Sequence, residues 1–153
     1  MPGKFLIDVT DARFKTDANR DVIEFVRRAN PFAHSDVGSL LIELGDELPG
    51  AHEYCPSYRS MAYVALHTDA DRIFAIAFGQ RALAFRLGAP SYAEAVGDGG
   101  TPATEIGPDW LRFEPWDTPG KTGARERLRR WCRRALADAT AHYTTESEST
   151  CGG

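Results

Sequence analysis

The fold is decided by residues 59–87, which have the sequence RSMAYVALHTDADRIFAIAFGQRALAFRL. Apolar side chains alternate along this stretch with a period of two, which is typical of β-strands. Three strands are predicted, at residues 59–67, 72–78 and 81–87. The residues from Thr68 to Asp71 favour a turn, and Gly79-Gln80 is a two-residue connection that closes a hairpin. We therefore predict a three-stranded antiparallel meander.

The alternation also assigns side chains to the two faces of the sheet. On the second strand it predicts one face with Phe74, Ile76 and Phe78 and the other with Ile73, Ala75 and Ala77. A fourth strand is predicted from Asp109 to Pro115. Because Pro108 and Pro115 bracket it, this strand is expected to be short and to lie at an edge of the sheet. Residues 88–108 are rich in glycine and proline and are predicted to form a long connection.

Helical spacing of apolar residues appears on both sides of the strands. The three predicted helices run from Thr16-Asp17 to Asn30-Pro31, from Ser35-Asp36 to Pro49-Gly50, and from Ala124 to Tyr143. These elements predict an α+β fold: an antiparallel sheet of about four or more strands, with two N-terminal helices and one C-terminal helix packed mainly on one face. We expect residues 1–143 to form a single domain and residues 144–153 a flexible C-terminal tail.

Composition narrows the class of protein. The chain has 153 residues, of which 42% are apolar and 26% charged, as expected of a globular domain. No apolar run reaches the length of a membrane span, and Asp8 and Asp11 interrupt any signal-peptide core, so a cytoplasmic protein with no membrane partner is expected. Three cysteines predict reduced thiols. Fifteen of the 18 basic residues are arginine, which is typical of GC-rich bacterial genomes.

The strongest charge feature is the segment from Lys121 to Leu136, which carries a charge of about +6 in a chain whose net charge is −4. One interpretation is an arginine helix that binds phosphates or an acidic protein surface. The other is a solvated helix face that pairs with the acidic remainder of the chain. The candidate partner-binding residues are Arg125, Arg129, Arg130, Arg133 and Arg134.

Two groups of residues are candidates for lining a pocket. The first is the loop with His52 and Cys55, followed by Tyr58 and Arg59, in which an imidazole could activate a thiol. The alternative interpretation is a half-buried structural cysteine. The second group is Trp110 and Arg112, in the predicted edge strand, and Trp116, which directly follows it, beside the glycine-rich connection.

Other motifs are incomplete. Gly120-Lys121-Thr122 lacks the upstream glycine of a phosphate-binding loop, because Pro115 stands in its place. His67, Asp69 and Asp71 lie across a predicted turn, and His34 with Asp36 opens a helix, but neither set has a third ligand at standard spacing. We therefore predict no metal, no cofactor and no catalytic residue.

Three stretches together resemble the small bacterial MmcQ/YjbR-like and TfoX N-terminal-like domains. They are the run from Leu48 to Glu53, the strand from Arg72 to Phe78, and the run from Pro108 to Phe113 before the closing helix. The resemblance covers roughly residues 36–140. It implies an α+β fold and a role in nucleic-acid binding or regulation, without a catalytic motif. The chain departs from these families in its acidic balance, its extra N-terminal helix and its concentration of arginines on one helix.

The leading functional hypothesis is a non-enzymatic binding or regulatory domain for a protein partner or a small ligand. The first alternative is a nucleic-acid-associated domain that uses the arginine helix. The second is a small enzyme built on Cys55 and His52. An edge strand carrying Trp110 also predicts a homodimer, because an open edge can pair with a second copy.

Overall fold

A computed structural model describes residues 12–29, 31–56, 63–114 and 121–152, and in the last of these segments the side chains of residues 125–141. The described strands form one antiparallel sheet in the order β1-β2-β3-β4-β6-β5. Their bounds are β1 His52–Tyr54, β2 Val64–His67, β3 Ile73–Phe78, β4 Ala82–Arg86, β5 Thr101–Pro102 and β6 Trp110–Phe113. The predicted meander is therefore confirmed as β2, β3 and β4.

The described helices are α1 Arg20–Ala29, α2 Ser35–Asp46, α3 Ala89–Gly97 and α4 Lys121–Gly152. Two short 3-10 turns, Ala12–Phe14 and Asp17–Asn19, precede α1. We call residues 12–19 the N-terminal strap. The predicted α+β fold, with two N-terminal helices and one C-terminal helix, is confirmed. Among the helices of the described segments, none combines the length and the apolar character that crossing a bilayer would require.

Helix α2 shows how the sequence sets the packing distance. The imidazole of His34 caps the helix by accepting a hydrogen bond from the Asp36 backbone N–H at 3.1 Å. Gly45 lies against strand β2, where a Cβ atom would be 2.7 Å from Leu66 Cδ2. The missing side chain therefore lets α2 approach the sheet closely. The chain leaves the helix through Leu48-Pro49, as the sequence predicts.

The sheet is covered on both faces. On one face, α2, α3 and α4 pack over a cluster that includes Leu66, Phe85 and Trp131. On the other, α1 and the N-terminal strap pack over a cluster that includes Phe14, Ile76 and Trp110. Three of the four described helices thus share one face, and α1 lies on the opposite face.

A β-bulge changes the facing of strand β3. The register between β2 and β3 shifts after Leu66, which pairs with Ala75, while His67 pairs with Ile73. Phe74 is the extra residue, so it lies in the same core cluster as its neighbour Ala75. The face predicted for Ile73 and Phe74 was therefore wrong, because strict alternation has no place for an inserted residue.

The predicted edge position of the Trp110 strand was also wrong. Strand β6 lies between β4 and β5, and the two-residue strand β5 closes that side of the sheet. Pro108 stands two residues before β6, so it removes no hydrogen bond from the ladder. Edge proline occurs instead at Pro102 in β5.

The glycine-rich connection contains more structure than its composition suggested. It holds α3 and β5, because its helix breakers stand at the ends of the helix and not inside it. Pro90 occupies the first turn of α3, where the missing N–H has no intrahelical partner in any case. Gly99, with a φ of 103°, forms the turn that follows the helix.

Two smaller differences concern the predicted hairpin and tail. Phe78 pairs with Ala82, so the connection between β3 and β4 has three residues, not two. Gly79 begins it with a φ of 66°. At the C-terminus, the backbone is helical to Gly152 and so includes the stretch predicted as a flexible tail. Its flexibility and the single-domain boundary stay predictions.

Candidate functional site

The arginines of α4 contact acidic residues of the two neighbouring helices. Arg125 pairs with Glu43 of α2, and Arg129 Nε donates to Glu47 Oε1 at 2.6 Å. Hydrogen bonding by Arg129 lowers the pKa of the Glu47 carboxyl, and the same contact raises the pKa of Arg129. The α2 side of the arginine helix is therefore neutralised within the fold.

The α3 side is neutralised in the same way. Asp98, at the C-terminus of α3, accepts hydrogen bonds from Arg130 Nη1 at 3.1 Å and from Trp131 Nε1 at 2.7 Å. Arg134 contacts Glu94 of α3 at 3.2 Å, and this hydrogen bond raises the pKa of Arg134. Of the five candidate arginines, only Arg133 makes no hydrogen bond or ion pair with a described residue.

Trp110 is a core residue. Its side chain is fully buried, its Nε1 donates to Asp21 Oδ2 at 2.9 Å, and the Arg86 guanidinium lies 4.9 Å from its ring. Arg86 and Asp21 form two parallel hydrogen bonds, of 3.0 and 2.8 Å. Arg86 also donates to the carbonyls of Ile73 and Ala18. The predicted pocket at Trp110 is therefore filled by Asp21 and Arg86.

The other pocket candidates are separated or lie outside the described residues. Arg112 lies on β6, and its Nη1 is 3.1 Å from Glu105 Oε2. His52 lies in β1 and Cys55 directly follows it, and three strands separate β1 from β6 in the sheet order. Tyr58, Arg59 and Trp116 are outside the described residues. The two predicted groups therefore do not form one site.

His52 belongs to a cluster of histidines and aspartates at one end of β1 and β2. Its Nε2 donates to Asp69 Oδ1 at 2.5 Å, and its ring stacks on that of His67 with 5.3 Å between centroids. His67 is buried, and its Nδ1 donates to the Thr68 carbonyl at 2.9 Å. Burial lowers the pKa of His67. In the described segments, no group of three or more histidine, cysteine or acidic side chains has an arrangement suited to a metal ion.

Cys55 has the environment of an unreactive thiol. The residue is exposed overall, but partial burial of its thiol raises the pKa, and the nearby carboxylate of Glu53 raises it further. A raised pKa reduces the thiolate fraction at neutral pH, and the thiolate is the nucleophile. His52 has Asp69 and His67 as its neighbours and makes no described contact with the Cys55 thiol. The arrangement needed for imidazole activation is therefore absent from the described part of the chain.

A groove opens beside the histidine cluster. It has a volume of about 650 Å³ and lies between α4, the turn after α2 and the turn between β2 and β3. The lining residues are mostly small or apolar: Pro49, Gly50, Thr68, Asp69, Ala70, Leu136, Ala137, Thr140 and Ala141. Asp69 is the charged member, and His52 holds one of its carboxylate oxygens. We call this feature the Asp69 groove.

Sequence reasoning missed the structural roles of Asn19, Asp21 and Arg86. One signal was present: Arg86 stands in the apolar run from Ala82 to Leu87, and a charge inside a buried strand requires a buried partner. Nothing in the local sequence identifies that partner as Asp21, which is 65 residues away. The Asp69 groove was also missed, because its three walls are distant in sequence.

The chain matches no protein-family model, no curated protein and no solved structure. The resemblance to MmcQ/YjbR-like and TfoX N-terminal-like domains therefore stays a prediction, and the functional argument rests on the geometry alone.

Proposed function

We propose that this chain is a non-enzymatic binding domain that takes a small, mostly apolar ligand into the Asp69 groove. The observation that carries the proposal is the combination of a volume of about 650 Å³ with a mainly apolar lining and one charged side chain. Binding sites for small molecules are usually concave and apolar, with a few fixed polar groups that orient the ligand.

One wall of the groove is held rigid. The Thr68 hydroxyl accepts hydrogen bonds from the backbone N–H groups of Ala70 and Arg72, both at 3.2 Å. These bonds close the turn between β2 and β3 before any ligand arrives. A wall that needs no ordering on binding loses less conformational entropy, which favours affinity.

The polar groups of the groove limit the class of ligand. Thr140 Oγ1 already donates to the Leu136 carbonyl at 2.9 Å. The Asp69 carboxylate uses Oδ1 for His52, which leaves Oδ2 to accept a hydrogen bond. The preferred ligand therefore has an apolar body and one donor, either an amine or a hydroxyl. A short segment of a protein partner with the same chemistry would satisfy the same groups.

Filling the groove tests the proposal. Ala137→Trp places a large ring in the groove, whereas Ala93→Trp makes the same change at an exposed site on α3, outside the groove lining. A library of small amines and alcohols is screened against the wild-type chain by ligand-observed NMR. Hits should lose binding in A137W and keep it in A93W. The absence of hits, or hits that bind A137W unchanged, would contradict the proposal.

Enzymatic use of Cys55 has less support. With its pKa raised by burial, Cys55 should react with iodoacetamide more slowly at neutral pH than a cysteine in an unstructured peptide. The measurement uses a Cys151→Ser background, so that Cys55 is the exposed thiol among the two described cysteines. A rate above that of the peptide would revive the enzyme hypothesis.

Nucleic-acid association keeps one supporting observation: Arg133 is exposed and makes no hydrogen bond or ion pair with a described residue. Its neighbours on α4 would have to leave their acidic partners to contact phosphates. If this alternative is correct, an RNA or DNA duplex should be retarded at low salt, with an affinity that falls steeply as salt rises. Arg133→Ala should then weaken the binding.

Three further expectations belong to this proposal. A bacterial origin is supported by the arginine bias, and a cytoplasmic location by the odd number of cysteines. The homodimer has lost its original basis, because β5 covers the edge on which it depended. The described edges are also poorly suited to pairing: β5 contains Pro102, and the three-residue strand β1 carries Glu53. Light scattering that shows a monomer would remove the dimer.

A further inference from the structure

The N-terminal strap is fastened to the sheet at two points. At the first, the fully buried ring of Phe14 meets the ring of His67 edge to face, with 4.8 Å between centroids. At the second, the Asn19 amide donates to the Asp71 carbonyl at 2.8 Å and accepts from the Ile73 N–H at 2.8 Å. Both attachments lie at the end of the sheet that carries the histidine cluster.

His67 is poorly placed to carry a charge. Its side chain is only 6% exposed, and its Nδ1–H donates to the Thr68 carbonyl. In the neutral ring the second nitrogen, Nε2, is the one that would take up a proton. A protonated His67 would therefore hold a charge in a site from which most water is excluded, which is costly.

Charged groups from three elements face this ring. Arg13 of the strap lies over the Phe14 ring at 4.6 Å, His52 of β1 is stacked on His67, and Tyr54 of β1 contacts Phe14. The turn contributes Asp69, bound to His52, and Asp71, whose Oδ1 is 3.5 Å from His67 Nδ1. A proton on His67 would meet the unfavourable charge of Arg13 as well as the favourable charge of Asp71.

We infer that the buried His67, whose ring contacts Phe14 and stacks on His52, is an acid-sensitive latch, which releases the N-terminal strap from the sheet when the His67 ring is protonated. The charge on His67 is relieved when Phe14 withdraws and water reaches the ring. The latch goes beyond the binding function and does not depend on any ligand of the Asp69 groove. It does adjoin the groove, because Thr68 and Asp69 belong to the same turn.

The direction of the pH effect follows from the buried state of His67. Burial lowers its pKa below the ordinary value of 6.5 in the attached state, whereas a released, hydrated ring titrates near 6.5. The released state therefore binds the proton more readily. Stabilisation of the attached strap is complete above pH 6.5 and is lost as the pH falls toward the lowered pKa.

Hydrogen–deuterium exchange of the full chain, corrected for intrinsic rates, tests the latch. Peptides that cover residues 12–22 should lose protection between pH 7.5 and about pH 5, because the released state binds the proton more readily. The α2 peptides should change less. Protection of the strap that is independent of pH would overturn the inference.

Two histidine variants separate the latch from general acid sensitivity. His67→Asn keeps a donor at the position of Nδ1 and cannot become charged, so its strap should stay protected at about pH 5. His34→Asn is the matched control at the α2 cap, where asparagine also caps well, and it should respond to acid as the wild type does. If H67N loses protection like the wild type, the inference is wrong.

A direct titration covers the case in which H67N does not fold. In the wild-type chain, the His67 ring proton followed by NMR should titrate below pH 6.5, and Phe14–His67 ring contacts should disappear with the same midpoint. A midpoint at or above 6.5, or contacts that survive the titration, would contradict the latch.

Discussion

The pair of Arg86 with Asp21 and the ion pairs of the α4 arginines both join separate elements of this molecule, and they differ in exposure to solvent. Arg86 and Asp21 have side chains that are 8% and 24% exposed, between α1 and the sheet. Arg125 and Glu43, which join α4 to α2, are 43% and 57% exposed. The first pair is one isolated contact in a strand that otherwise looks apolar, whereas the second belongs to the densest run of charge in the chain.

The difference shows that the density of charge along a sequence is a poor guide to how much the charged residues contribute to stability. Exposed pairs exchange water contacts for ionic contacts at nearly equal free energy. A buried pair is different, because removing one partner leaves the other charge without water and without a counter-ion. The α4 arginines contact the neighbouring helices at the surface, whereas Arg86 and Asp21 join the sheet to α1 in a mostly buried contact.

The largest effect is expected from breaking the buried pair. Asp21→Ala leaves Arg86 buried without its carboxylate and removes the acceptor for Trp110 Nε1, so we expect a loss of about 3–5 kcal/mol in the free energy of unfolding. Urea denaturation measures it. Asp17→Ala is the matched control, since it removes the partner of the exposed Arg20. Equal losses in the two variants would show that burial does not separate the pairs.

An intermediate loss of stability is expected when the strap loses the hydrogen bonds of the uncharged Asn19 side chain. Asn19→Ala removes the side chain that bonds Phe14, Asp71 and Ile73, and leaves the buried Ile73 N–H without its acceptor. We expect a loss of about 1–3 kcal/mol, the usual penalty for an unsatisfied buried group. Urea denaturation measures this loss. In a separate hydrogen-exchange experiment, the backbone amides of the strap should exchange faster than in the wild type. A loss as large as that of D21A would mean that charge is not what distinguishes Asp21.

The smallest effect is expected on the arginine helix. Arg125→Ala removes an exposed pair, so it should lower the free energy of unfolding by no more than about 1 kcal/mol, and less at high salt. The same denaturation experiment at low and high salt measures both. A loss above that of N19A would show that the ion pairs of α4 support the fold more strongly than their exposure indicates.

Much of the fold could be predicted because its elements have strong local signals. Period-two alternation from Val64 to Arg86 identifies the meander, and the apolar stripes of α2 and α4 identify two helices. The sequence did not predict elements with weak local signals, because these elements depend on partners that are distant in sequence. Strand β5 has two residues and exists because β6 lies beside it, and the bulge at Phe74 results from the pairing with β2.

The site could be predicted only in part. His52 was recognised as a functional candidate, but its partner Asp69 was interpreted as a turn residue with no link to it. The two meet because β1 pairs with β2, and β1 was not predicted from its three mixed residues. Cys55 and Trp110 are residue types that can serve in a site, but the thiol has a raised pKa and the tryptophan is buried in the core. Sequence could not predict this, since the tertiary fold sets the exposure and the neighbours of each side chain.

The most direct test of the account is chemical-shift mapping on the ¹⁵N-labelled chain with the strongest amine or alcohol from the screen. We expect the largest shifts at the backbone amides of Thr68, Asp69 and Ala70 and on the facing side of α4 at Ala137 and Ala141, with saturable dependence on concentration. Shifts confined to the arginine face, from Arg125 to Arg134, would contradict the proposal that the Asp69 groove is the binding site.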